Sequence, residues 1–121
     1  MEYIFDNDRP IYVQLLEKLE LRIVSGEFKP GDRLPSVREL ALTEKVNPNT
    51  MQKTLSELED IGLIYTERTN GKFVTEDENL IKKIKKEMAE KTVKKYLQDM
   101  KNIGINYEEA TKYLQEIGGN N

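Results

Sequence analysis

The chain has 121 residues, about one domain's worth, and its 37% hydrophobic and 34% charged residues leave room for one modest core. It holds neither cysteine nor histidine, which excludes disulfide frameworks, thiolate zinc sites and the commonest general base; no metal, no cofactor and no enzymatic role are expected. No apolar run approaches the ~20 residues that span a bilayer, and the start MEYIFDNDRP has neither part of a signal peptide, so the cytoplasm is the expected compartment, with no membrane partner.

The net charge of −3 is unevenly spread. Residues 1–78 hold 10 Lys and Arg against 16 Asp and Glu, whereas residues 79–121 hold 9 against 6. The change falls at Thr75-Glu76-Asp77-Glu78, which divides the chain into an expected domain of residues 1–78 and a tail of residues 79–121.

Ile11, Leu15, Leu19 and Ile23 recur every fourth residue, with Leu16 alongside, and predict a first helix. Asp8 is the expected cap, Pro10 fits the first turn, and Gly26 marks the stop. Lys29-Pro30-Gly31-Asp32 reads as a turn before a short extended segment, Arg33-Leu34. Ser36-Val37-Arg38-Glu39 has the spacing of a capping box, so a second helix should run to about Glu44 with Val37, Leu40 and Ala41 inward. After a turn at Lys45-Val46, Asn47-Pro48 starts a third helix. Its apolar stripe is Met51, Leu55, Leu58 and Ile61, and Gly62 ends it. Leu63–Thr66 and Lys72–Val74 are β-prone runs joined by Glu67-Arg68-Thr69-Asn70-Gly71, with Asn-Gly as the expected turn.

The tail is helical again. Ile81, Ile84, Met88, Val93, Tyr96, Leu97 and Met100 are expected along one side of a long helix. Asn106 with Glu109 has capping spacing, and Tyr107, Ala110, Leu114 and Ile117 follow on a short last helix. These apolar positions, with no second core to receive them, make residues 80–117 the expected dimerisation element: Ile81, Ile84, Met88, Val93, Tyr96, Leu97, Met100, Leu114 and Ile117. Tyr96, Tyr107 and Tyr113 could line a ligand pocket, but packing in a core or interface is the preferred reading. Lys82, Lys83, Lys85, Lys86, Lys91, Lys94 and Lys95 are read as the solvated face of that helix, with extra DNA contact as the alternative.

Helix, extended segment, helix, tight turn, helix and hairpin, in that order, predict a winged helix-turn-helix, mainly α with a small β-hairpin, followed by a helical tail. In such a fold one helix enters the major groove of DNA and its predecessor crosses the backbone. With the stripe of the third helix turned inward, Asn49, Thr50, Gln52, Lys53 and Ser56 face outward, side chains suited to base edges and phosphates. The alternative for that face is ordinary solvation, and for Arg38 a surface ion pair with Glu39 or Glu44.

Four separated blocks then carry a resemblance: Gly31-Asp32-Arg33-Leu34-Pro35-Ser36-Val37-Arg38-Glu39-Leu40-Ala41, Val46-Asn47-Pro48-Asn49-Thr50, Leu58-Glu59 with Ile61-Gly62-Leu63-Ile64, and Gly71 with Phe73-Val74. Together with Pro10-Ile11-Tyr12 and Gln14, they resemble the DNA-binding domain of GntR-family bacterial transcription regulators over residues 10–74. The short tail looks like the YtrA-like subfamily, which lacks a large effector domain. The resemblance implies a homodimeric repressor on a palindromic double-stranded DNA operator, with any small-molecule effector unknown. It also implies DNA contacts from Ser36 and Arg38 at the second helix, from Asn49, Thr50, Gln52 and Lys53 on the recognition helix, and from Gly71 at the wing, flanked by Arg68 and Lys72. This sequence departs from the family wing Arg-x-Gly-x-Gly by carrying Glu67 and Thr69, and a carboxylate there should engage phosphate less strongly. The alternative function is a winged-helix protein-interaction module without DNA binding.

Overall fold

The computed structural model describes residues 8–119. They form α1 (Ile11–Val24), α2 (Val37–Glu44), α3 (Pro48–Ile61), β1 (Ile64–Glu67), β2 (Gly71–Val74), α4 (Glu78–Asn102) and α5 (Tyr107–Gly118). The described residues pack as two compact units that part between Ile84 and Lys85, inside α4.

In the first unit Leu15, Leu19 and Ile23 of α1, Leu40 and Ala41 of α2, and Met51, Leu55 and Leu58 of α3 form the core with Leu34, Leu63, Ile64 and Val74. Both expected stripes are real but shorter than their periodicity. Ile11 is 51% exposed and Ile61 37% exposed, because each lies on the terminal residue of its helix, beyond the reach of the core. Asp8 does not cap α1. The N-cap is Pro10, and the amides of Val13 and Gln14 donate to its carbonyl at 3.2 and 3.3 Å. The entry is tied instead by the buried Gln14, whose Nε2 donates to the Arg9 carbonyl at 2.9 Å.

The helix-turn-helix is set by local chemistry. Ser36 Oγ accepts from the Glu39 amide at 3.1 Å while the Glu39 carboxylate accepts from the Ser36 amide, a closed capping box. Lys45 turns the chain in the left-handed region at φ 57°, and Asn47 Oδ1 accepts from the Asn49 amide at 2.7 Å to open α3 on Pro48. Glu44 is buried and bound by Lys18 and Arg22 of α1. Losing either cation would leave that carboxylate underpaired, which is costly inside a protein.

β1 and β2 pair antiparallel with Ile64 opposite Val74 and Glu67 opposite Gly71. The turn is centred on Arg68-Thr69, closed by the Asn70 amide to the Glu67 carbonyl at 3.2 Å. Asn-Gly is therefore not the turn. Gly71 instead opens β2 at φ 101°, a conformation that an L side chain rarely adopts and that realigns the strand after a three-residue loop. Arg33 bridges Phe73 on the free edge of β2, with Leu34 donating to Lys72 at 2.8 Å and Val74 to Asp32 at 2.8 Å.

α4 begins on Asp77, whose Oδ1 accepts from the amides of Asn79 and Leu80. Its apolar residues do not line one side. The step from Met88 to Val93 breaks the period, so Val93, Tyr96, Leu97 and Met100 lie about 140° around the helix from Ile81, Ile84 and Met88 at 3.6 residues per turn. Ile84 is buried as part of the first unit. In the second unit α5 starts on Asn106, whose Oδ1 accepts from the Glu109 amide at 3.0 Å, and its Ala110 is fully buried. Tyr96 donates its hydroxyl to the Ala110 carbonyl at 2.9 Å, joining the two helices.

Candidate nucleic-acid interface

The outer face of α3 exposes Asn49, Gln52, Lys53 and Ser56, with Thr50 half-buried. This follows from the burial of Met51, Thr54, Leu55 and Leu58 on the opposite side. Gln52 Nε2 is 3.5 Å from Ser56 Oγ, a long contact that DNA can readily replace. The Thr50 carbonyl accepts from the Thr54 hydroxyl at 2.9 Å. The Lys53 ammonium lies 4.3 Å from the centroid of the Tyr12 ring on α1.

The basic side chains divide into those already paired and those left over. Among the described residues Arg33, Arg38 and Arg68 make no ion pair. For Arg38 the reason is visible: Glu39 closes the capping box and Glu44 is held by Lys18 and Arg22. Lys72 is different. It is half-buried, donates to Thr66 Oγ1 at 2.8 Å and sits 3.8 Å from Glu59.

Between the start of α2 and the wing lies a groove of about 490 Å³. Arg33, Ser36, Glu39, Thr66, Glu67, Arg68, Thr69, Gly71 and Lys72 line it with Leu34, Pro35 and Val37. Ser36, Arg68, Gly71 and Lys72 thus meet in one place although the sequence separates them. Arg33 belongs with them and was missed as a contact residue. Its signal was the block it stands in, but only its bridge to Phe73 reveals where its guanidinium goes. That guanidinium crosses Gly71 closely: a Cβ there would stand 3.4 Å from Arg33 Nε.

The wing itself is mixed in charge. Glu67 accepts from Asn70 Nδ2 at 3.1 Å, so its carboxylate stays at the turn. Tyr65 stacks on Phe73 with centroids 5.6 Å apart. Its phenol is pushed up from the ordinary tyrosine range by burial, then by the charges of Glu76 and Glu67.

A helix-turn-helix with an exposed polar recognition face, unpaired guanidinium groups and a wing is the architecture that the family comparison matches: residues 11–74 fit the bacterial regulatory proteins, gntR family. The chain belongs to the GntR family. The chain is 36% identical to the HTH-type transcriptional repressor YtrA of Bacillus subtilis over 89% of this chain and 84% of that protein. A solved GntR-family transcriptional regulator from Listeria monocytogenes superposes with a TM-score of 0.86 at 38% identity, covering 93% of this chain and 98% of the other. The DNA-binding domain of AraR in complex with operator ORR3 superposes at 0.53 and 28% identity over 62% of this chain and 88% of that one. This GntR-family chain is a YtrA-like, DNA-binding transcription regulator. Regulators of this kind are not enzymes. Among the described residues no helix is long and apolar enough to cross a membrane.

Proposed function

We propose that this chain represses transcription in the cytoplasm by binding a palindromic operator as a homodimer and occluding the promoter. The observation that carries the DNA face is that, among the described residues, Arg33, Arg38 and Arg68 make no ion pair and stand on one unit with the exposed Asn49, Gln52 and Lys53. Phosphate contacts from the guanidinium groups and the start of α2 fix the register, and Asn49, Gln52 and Lys53 read base edges. Ser36 serves first as a cap, and Lys72 supports the wing more than it contacts DNA.

The second unit supports self-association. Val93 and Leu114 are each 54% exposed, Tyr113 46%, and Tyr107, Ile103 and Ile117 about 70%. Thr92, Val93, Tyr96, Leu97, Tyr107, Thr111 and Leu114 line an open apolar cavity of about 450 Å³. So much apolar surface on two helices is a liability for a monomer, and a two-fold partner covers it. Of the expected interface, Val93, Leu114 and Ile117 are the most available; Tyr96, Leu97 and Met100 are half-buried, Ile81 and Met88 likewise, and Ile84 is spent on the first unit.

Selection of duplexes by the full chain from a random pool tests the whole reading. Enrichment of an inverted repeat, followed by loss of transcription from a promoter carrying it, is the expected result. Enrichment of single half-sites would remove the homodimer, and no enrichment would remove the operator.

A further inference from the structure

The strands of the wing bring no cation of their own to one of their two faces. Opposed residues of an antiparallel pair point to the same side, and side chains alternate along each strand. Tyr65 with Phe73 and Glu67 with Gly71 therefore share a face of β1 and β2, where the Tyr65 and Phe73 rings stack. From the strands that face receives the two rings, the Glu67 carboxylate and the bare Cα of Gly71. Lys72 belongs to the other face, where it donates to Thr66 Oγ1 at 2.8 Å and sits 3.8 Å from Glu59.

A cation reaches the first face from outside the hairpin. Arg33, in the segment before α2, bridges Phe73 antiparallel, so its side chain leaves on the side of Phe73 and Gly71. The guanidinium lies over Gly71: a Cβ at position 71 would stand 3.4 Å from Arg33 Nε, 3.6 Å from Nη2 and 3.9 Å from Cζ. Those are ordinary contact distances, so a first side-chain atom would just fit and a longer side chain would compete with the guanidinium for its place. Glycine at position 71 thus answers two demands, the backbone at φ 101° and the guanidinium above it. Glu67, across the strands from Gly71, does not capture that guanidinium. Its carboxylate accepts from Asn70 Nδ2 at 3.1 Å, and among the described residues Arg33 makes no ion pair. Arg33 is exposed and lines the groove with Ser36 and Arg68.

We propose that the wing's phosphate contact is made from outside the hairpin, by Arg33 laid across Gly71, and that Gly71 is the positioning residue that keeps this place open. A cation at position 67 would project from the same face beside Gly71, so positions 33 and 67 address one phosphate. The role rests on the reading that this groove lies against operator DNA.

The test uses the full chain and the duplex enriched from the random pool, with affinity measured by fluorescence anisotropy at several salt concentrations. Arg33→Ala should weaken binding about tenfold and lower the salt slope by about one. Glu67→Arg should raise affinity about threefold in the unaltered chain but about tenfold in the Arg33→Ala background, where it refills an empty place. Equal gains in the two backgrounds would mean independent contacts and overturn the shared phosphate. Asparagine tolerates positive φ better than most residues, so Gly71→Asn tests the positioning role. It should weaken binding about fivefold in the unaltered chain and less than about twofold once Arg33 is alanine. Equal losses in both backgrounds overturn the role of Gly71. Thermal melting separates these outcomes from unfolding, and the Arg33 and Glu67 variants carry the test if asparagine disturbs the turn. Binding by Arg33→Ala equal to that of the unaltered chain overturns the inference; if Arg38→Ala weakens binding in the same assay, the DNA face stands without Arg33. An unaltered chain that fails to distinguish the enriched duplex from a scrambled one removes the proposed function, and the inference with it.

Discussion

Leu55 and Leu114 are the same side chain, each on a helix of this chain, yet the first is 1% exposed and the second 54%. Leu55 sits on α3, surrounded by a core drawn from three helices and the wing. Leu114 sits on α5, which with its half of α4 makes a two-helix unit in which, among the described residues, only Ala110 is fully buried. The first unit can close on itself. The second has too few elements to cover two apolar faces, and its surplus is the material of an interface.

Removing the second unit should break this contrast most completely. A chain ending after Ile84 keeps Leu80 and Ile84 on the winged helix and should fold as a monomer. Its affinity for a two-half-site operator should fall by about 10²–10⁴, the contribution of linked binding. Sedimentation and anisotropy read the two quantities. A full chain that stays monomeric at micromolar concentration, or a truncated chain that stays dimeric, would refute the assignment of the tail.

Two equal truncations sharpen the same comparison. Leu55→Ala should cost about 2–5 kcal/mol in denaturant unfolding, since it opens a cavity in a closed core. Leu114→Ala should change the stability of an isolated protomer by no more than about 0.5 kcal/mol, as exposed sites do. It should nevertheless weaken dimerisation, seen as a concentration-dependent shift in sedimentation. Equal unfolding losses at both sites, measured below the dimer dissociation constant, would mean that α5 is packed as tightly as α3.

Within the first unit the comparison runs between the helix face and the wing. Arg38→Ala should weaken operator binding by about 1–3 kcal/mol without altering the melting temperature, because Arg38 makes no ion pair among the described residues. The smallest effect is expected at the wing. Glu67→Arg should strengthen binding irrespective of sequence and steepen the salt slope by about one unit. An unchanged slope would place the wing tip away from the phosphates.

How much of this was legible depended on how local the cause is. The capping box at Ser36 and Glu39, the caps at Asn47 and Asn106, and the inward stripe of Met51, Leu55 and Leu58 are all visible in sequence, since each is set within one or two turns. The outer face of α3 follows from that stripe by geometry. Asp8 misled because capping spacing is common and the chain starts its helix where Pro10 permits. The single stripe expected of α4 fails because the five-residue step from Met88 to Val93 turns the later apolar residues about 140° around the helix.

Family, fold order and the candidate recognition residues were determined by the sequence alone, through residue types at fixed short spacings. Only the tertiary structure decided which charges remain free. Glu44 could have served Arg38 by proximity in sequence, yet packing of α1 against α2 gives it to Lys18 and Arg22. Lys53 meets the Tyr12 ring at 4.3 Å, a contact from 41 residues earlier in the chain. Arg33 reaches the groove only because its segment pairs with β2. Ion pairing depends on distances of a few ångströms between elements far apart in the chain, and no spacing rule within one helix contains that information.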